Sequence, residues 1–275
     1  MEIGKCHFKV VVVCILIGVI SARNAEGFGM KLSDFFGKEV ASLIKAIEGN
    51  DEKMAQGLID QGVSLNVRGA EGMTPLFWLI MNKNKEGMRT ALQLGADPNL
   101  SDFSGDSPVS MVSGADDDEY LIILLEAGGN PDSFNRNGAP AIFEAIDEDR
   151  LDQIKIFQKF GVNLNLTNKS GDNSALHSAM LAKYDIVYYL IKNGADFTAR
   201  NESDGYVAWV LHDHLINNLL NPEGVSYSWA IKTKQELIAK GVEFPPPSPR
   251  EIRWAEGRPN RFDIDAKNRE LSEKL

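Results

Sequence analysis

Gly62, Gly95, Gly128, Gly161 and Gly194 recur at one constant interval without drift, and Gly72, Gly105, Gly138 and Gly171 keep the same interval. Gly205 continues the second ladder one position late. Two glycine ladders locked in register mean a repeated supersecondary unit that must stack on its neighbours to bury an apolar face. Most of the chain is therefore repeat or cap.

The stretch from Gly72 to Gly95 shows what one unit contains. Thr74 caps a first helix, and Pro75 suits its first turn, where no amide donor is needed. Asn82-Lys83-Asn84 breaks the pattern, and a second helix runs to Leu94. Gly95 ends it, because the position after a helix takes a left-handed conformation that glycine adopts freely. An extended arm follows, with Ser104-Gly105 as its turn.

This layout resembles the ankyrin repeat, whose period is about 33 and whose signature is Thr-Pro-Leu-His-x-Ala. Thr74-Pro75-Leu76-Phe77 and Ser107-Pro108-Val109-Ser110 match it in part, Pro140-Ala141-Ile142-Phe143 more loosely, and Leu176-His177-Ser178-Ala179 keeps its second half. The resemblance covers residues 38–244 and implies an all-α ankyrin-repeat solenoid with capping helices and an irregular C-terminal tail. It also implies a structural role for His177.

Val40, Leu43, Ile44 and Ile47 form one helical stripe of an N-terminal cap, and Met54, Leu58 and Ile59 another. Leu32, Phe35 and Phe36 within the lead-in 23–37 predict a short capping helix. Near the other end, the step from Gly194 to Gly241 is longer than the period, and nearly all of the excess falls around 217–228. That insertion lies between a first helix over 207–216 and a second over 229–240. The prolines of 245–249 are expected to block regular structure. In the polar tail up to 275, Ile252, Trp254 and Phe262 are expected to pack back on the last helices, and the end beyond Lys267 to fray or form a loose helix.

Catalytic spacing is missing from the sequence: there is no Gly-x-Ser-x-Gly, His-Glu-x-x-His or phosphate-binding glycine loop. His212 and His214, two apart on a helix, point in different directions and do not make a metal pair. Asp116-Asp117-Asp118-Glu119 lacks the spaced pattern of a calcium loop and reads as a solvated turn, with Asp118 or a neighbour capping the next helix. The reading is a non-enzyme without cofactor or metal. The net charge of −10 disfavours nucleic acid.

Lys5 and Lys9, the apolar run over 10–20 and Ser21-Ala22 have the order of a secretory signal, expected to be cut after Ala22 or Ala25. The run is too short to span a bilayer, so no stable membrane insertion is expected after cleavage. Both cysteines, Cys6 and Cys14, lie within the expected signal at 1–22, which leaves the exported chain without disulfide chemistry. Asn168-Lys-Ser170 and Asn201-Glu-Ser203 would place glycans on hairpin tips in a eukaryotic secretory pathway. A bacterial periplasm is the expected location.

In ankyrin repeats a partner meets the hairpin tips and the exposed side of the first helices. By register those positions are Met73 and Met81, Phe103 and Asp106, Arg136, Asp147 and Glu148, Lys169 and Asp172, and Tyr206 and His214. Phe103 and Tyr206 are the aromatic anchors, and the carboxylates predict a partner with a basic patch. Exported ankyrin-repeat proteins of this type resemble immunity proteins paired with type VI secretion effectors, lipases and phospholipases among them. The expected function is occlusion of such a toxin by a protein that is monomeric when free. The alternative is a periplasmic scaffold for an oxidative-stress enzyme such as a catalase.

Overall fold

The computed structural model describes residues 29–272, so the expected signal peptide at 1–22 lies outside the described residues. Among the described residues every regular element is helical, and the only β-feature is an isolated bridge from Phe134 to Pro140. The described residues divide into two compact units, the first ending at Asn163 and the second beginning at Leu164.

The first unit holds α1 (Leu32–Phe35), α2 (Lys38–Glu48), α3 (Glu52–Asp60), α4 (Pro75–Met81), α5 (Lys85–Gln93), α6 (Pro108–Val112), α7 (Glu119–Glu126), α8 (Ile142–Asp147) and α9 (Leu151–Lys159). From α2 onward they pair as helix hairpins. Thr74 and Ser107 cap α4 and α6 through their hydroxyls, each with proline in the first turn, and Gly95 ends the second helix of its repeat at φ +94°. Every residue of α4 is buried, because a helix that is apolar all round has no face to offer water. Leu43, Leu76, Ile80, Val109, Phe143, Ile146 and Phe157 continue that core. Met54 departs from its expected stripe and is exposed, and Ala55 is the buried residue of α3. An end repeat needs to cover only one side.

A row of side chains sets the repeat spacing. Asn66 accepts from the amide of Asp97 at 2.7 Å and donates to the carbonyl of Gly95 at 2.9 Å. Asn99 makes the same pair with Asn130 and Gly128, at 2.7 and 3.1 Å, and Asp132 accepts from Asn163 at 2.7 Å. Each side chain thus pins its own repeat to the next. Asn99→Ala is expected to cost about 1–2 kcal/mol, the net worth of two such bonds, read from urea unfolding.

The acidic turn is not simply solvated. Arg150 reaches Asp116 at 3.0 Å and Asp118 at 2.9 Å, and Arg89 holds Glu119 at 2.7 Å. Asp118 therefore does not cap α7, and the Glu119 amide donates to Asp117. Fully buried Gln153 ties the same loop down through the Gly114 amide and the Ala115 carbonyl.

The second unit holds α10 (Ser174–Met180), α11 (Tyr184–Lys192), α12 (Val207–Ile216), α13 (Val225–Ala239), α14 (Pro249–Ala255) and α15 (Arg261–Ser272). The insertion is only partly loop. α13 starts at Val225 behind Gly224, so the last inserted residues form its first turn. Nor do the prolines block a helix. Pro249 opens α14, with Ser248 and Glu251 forming a reciprocal capping box, the device that starts α6 with Ser107-Pro108.

α14 and α15 are clamped together by Arg253–Asp263 at 2.7 Å and Arg250–Glu270 at 2.6 Å, and Arg253 holds the Asp263 carboxyl down at about 2. Arg253 and Arg258 also reach Asp204 on the preceding tip. The tail is thus a helix pair closing the last repeat rather than an irregular segment. Phe262, expected to pack inward, is exposed.

Candidate protein-binding face

Four hairpin tips are each organised by an Asx residue at the start, and the first tip has Gly69 there instead. Asp102 accepts from the amides of Ser104 and Asp106, and Asn135 accepts from those of Asn137 and Ala139. In the second unit Asn168 and Asn201 do the same. These side chains close the turns that would otherwise leave amides unpaired. They recur at the same interval as the glycines, a signal in the sequence that the glycine ladders overshadowed.

In the first unit the tips and inner helices converge on an acidic face. The Arg136 amide donates to Asp106 at 2.8 Å, and the Arg136 guanidinium lies 3.6 Å from the same carboxylate. Asn135 donates to Glu144 on α8 at 2.7 Å. Burial pushes the Glu144 carboxyl above its ordinary range, and the charges of Asp147 and Asp106 add to the rise. Burial likewise raises Asp102, with Asp106 contributing repulsion. These shifts place tip and helix carboxylates within one another's fields. Phe103 projects from the tip, 70% exposed. Asp147 and Glu148 are exposed at the end of α8.

Other expected contact residues face elsewhere. Met73 and Met81 are 4% and 0% exposed, so neither can meet a partner. Met73 sits between the tip and the Thr74 cap with its carbonyl accepting from Gly69, and Met81 closes the wholly buried α4. In the second unit Lys169 is exposed, but Asp172 is buried and accepts from Asn201 at 2.8 Å. The Tyr206 hydroxyl donates to Pro247. His214 meets the Tyr184 hydroxyl at 2.7 Å, and burial lowers its basicity. A groove of about 1440 Å³ between α12 and the tail is lined by Tyr206, Trp209 and Trp254, with Arg200 and Arg250 on its walls. Those two cations are already paired, with Glu256 and Glu270. Of the acidic face, Asp102 and Glu144 went unrecognised in the sequence. Asp102 is marked by its place in the recurring Asx series, and Glu144 by standing four residues before Glu148 along α8.

The raised carboxyl groups predict a pH dependence. A proton held more tightly by the fold contributes stability that is present below the unfolded pKa and lost as pH rises through the folded one. Glu144→Gln keeps an acceptor for Asn135 but carries no charge. It is expected to match the wild type near pH 4 and to become the more stable protein by about pH 6, in paired thermal melts.

Residues 110–201 match the family described as ankyrin repeats, in three copies. These are ankyrin repeats. Protein PhlB of Serratia liquefaciens is 27% identical over 165 residues, which cover 59% of this chain and 71% of PhlB. The chicken nuclear factor NF-kappa-B p105 subunit is 29% identical over 119 residues, covering 42% of this chain but only 12% of p105. The solved ankyrin repeat protein EF0377 has a TM-score of 0.53 at 26% identity, covering 62% of this chain and 90% of EF0377. The Bcl-3 ankyrin repeat domain superposes with a TM-score of 0.59 over 77% of this chain and 92% of that domain, at 18% identity, a likeness of fold alone. Ankyrin repeats form protein-binding modules, and the fold is typically a non-catalytic one. Among the described residues no group of three or more His, Cys, Asp or Glu is placed to hold a metal ion.

Proposed function

We propose that this chain is an exported bacterial immunity protein that binds a secreted antibacterial toxin and occludes it. The contact is the acidic face of the first unit, with Phe103 as aromatic anchor and Asp102, Asp106, Glu144, Asp147 and Glu148 meeting a basic patch. The observation that carries the reading is that concentration of carboxylates, with Asp147 and Glu148 exposed, in the same unit as an aromatic ring left in water. Such a field speeds encounter with a cationic surface, and an exposed ring on the tip between Asp102 and Asp106 supplies contact area once docked. The signal-like order of residues 1–22 supports export to the periplasm, and the similarity to a Serratia protein over most of its length is in keeping with a bacterial role.

Co-expression with the product of the adjacent reading frame tests this. The expected outcome is a stable complex and rescue of growth from that product's toxicity, with the chain recovered from the periplasmic fraction. A harmless neighbour, or toxicity undiminished by the chain, overturns the immunity reading.

A further inference from the structure

The turns between paired helices in the first unit are polar, as in Asn82-Lys83-Asn84 and Asp149-Arg150. At the corresponding end of the second unit exposed apolar side chains stand among Asn217, Asn218, Asn221 and Glu223. Met180 and Leu181 close α10, Ile216 closes α12, and the insertion adds Leu219 and Val225. Val225 is 74% exposed, Leu219 61%, and the other three about half exposed. Ser226 donates to the Ala182 carbonyl at 2.6 Å and brings the start of α13 onto the end of α10, so Val225 and Leu181 belong to one tip. Five exposed apolar side chains gathered at one end of a unit are more than the single scattered ones an ordinary surface carries.

Behind this tip stands an aromatic and cationic collar. Trp229 packs on Tyr188 at 5.5 Å, Lys232 lies 4.1 Å over the Trp229 ring, and Lys192 lies 5.9 Å over Tyr188. Trp229 follows Val225 by four residues, about 6 Å along the helix axis. Aliphatic side chains in front, with Trp229 one turn behind Val225 and Tyr188 and Lys232 about two turns back, match the layering of a bilayer surface, where apolar groups enter about 5–10 Å and aromatic rings sit among the headgroups. No helix among the described residues is long and apolar enough to cross a membrane, so the contact is with one leaflet.

We propose that the insertion makes the second unit a lipid-docking surface, in which Ile216, Leu219 and Val225, with Met180 and Leu181, enter a bilayer up to the Tyr188–Trp229 collar. The acidic chain favours a zwitterionic surface over an anionic one, and the exposed Glu223 carboxylate in the same loop opposes entry. This inference stands apart from the toxin-binding face and survives if that reading fails.

The test is tryptophan quenching by phosphatidylcholine vesicles carrying brominated acyl chains, using the full chain. Residues 1–28 contain no tryptophan, so quenching does not report on them. Quenching is expected in the wild type and largely absent in Trp229→Phe. Leu219→Asp with Val225→Asp, both at exposed positions, is expected to lower the quenched fraction at least about tenfold with unchanged circular dichroism. Glu223→Gln is expected to increase it, and added phosphatidylglycerol to decrease it. No quenching of the wild type, or equal quenching of the double variant, overturns the proposal. So does a lipid-independent dimer that the double variant dissolves, which would assign the patch to a second copy.

Discussion

Replacing Trp78 with alanine is expected to cost about 3–5 kcal/mol, among the largest losses available to a single substitution in this chain. The ring is 1% exposed at the centre of α4, packs on Phe35 of the capping helix at 5.9 Å, and donates its indole N–H to Glu48 at 2.9 Å. One side chain therefore joins α1, α2 and α4. Trp78→Ala opens a cavity against three elements and removes a hydrogen bond donor from a partly buried carboxylate. Trp78→Phe keeps most of the volume and is expected to lose less than half as much. Urea unfolding followed by circular dichroism measures both. Because a repeat array can lose its end unit first, a lowered slope in Trp78→Ala would mark separate loss of the cap.

Gly72→Ala is expected to be the second large effect, and Gly105→Ala supplies its control. Both glycines sit in left-handed backbone, at φ +80° and +95°. A methyl group at Gly105 meets nothing nearer than 3.9 Å, so that variant carries only backbone strain of about 1–3 kcal/mol. At Gly72 the added carbon would lie 2.3 Å from the Phe103 amide nitrogen. That contact is with backbone and cannot be relieved by turning a side chain, so a further ~1–3 kcal/mol is expected. The same clash displaces Phe103, so Gly72→Ala should weaken partner binding beyond its effect on stability. Equal melting temperatures for the two variants would show that the tips do not nest as described.

The repeat and its helices were legible because glycine spacing and capping residues are local signals. Thr74-Pro75 and Ser107-Pro108 start helices where expected, and α12 spans the anticipated 207–216. Local signals conflict in the tail and the insertion, and there packing and capping decide. Pro249 closes a proline run, which argues against a helix, yet Ser248 and Glu251 make it a first-turn proline. Val225 to Ser228 carry no helix signal of their own and are helical because α13 packs on α11. The site divides the same way. Asp106, Asp147 and Glu148 follow from register, whereas the inward turn of Met73 and Met81 depends on packing that register does not encode. Asp102 was hidden by its turn-forming role and Glu144 by its burial.

The central claim is that the acidic face of the first unit is where a basic protein docks. Calorimetric titration of the toxin recovered by co-expression against wild type and against a variant carrying Asp106→Lys, Asp147→Lys and Glu148→Lys tests it most directly. The account predicts a loss of at least about 100-fold in affinity with the circular dichroism spectrum unchanged and stability lowered only by the lost Asp106–Arg136 link, and a wild-type affinity that falls as salt rises. Undiminished affinity in the triple variant would contradict it, as would a comparable loss from Lys169→Glu alone on the second unit.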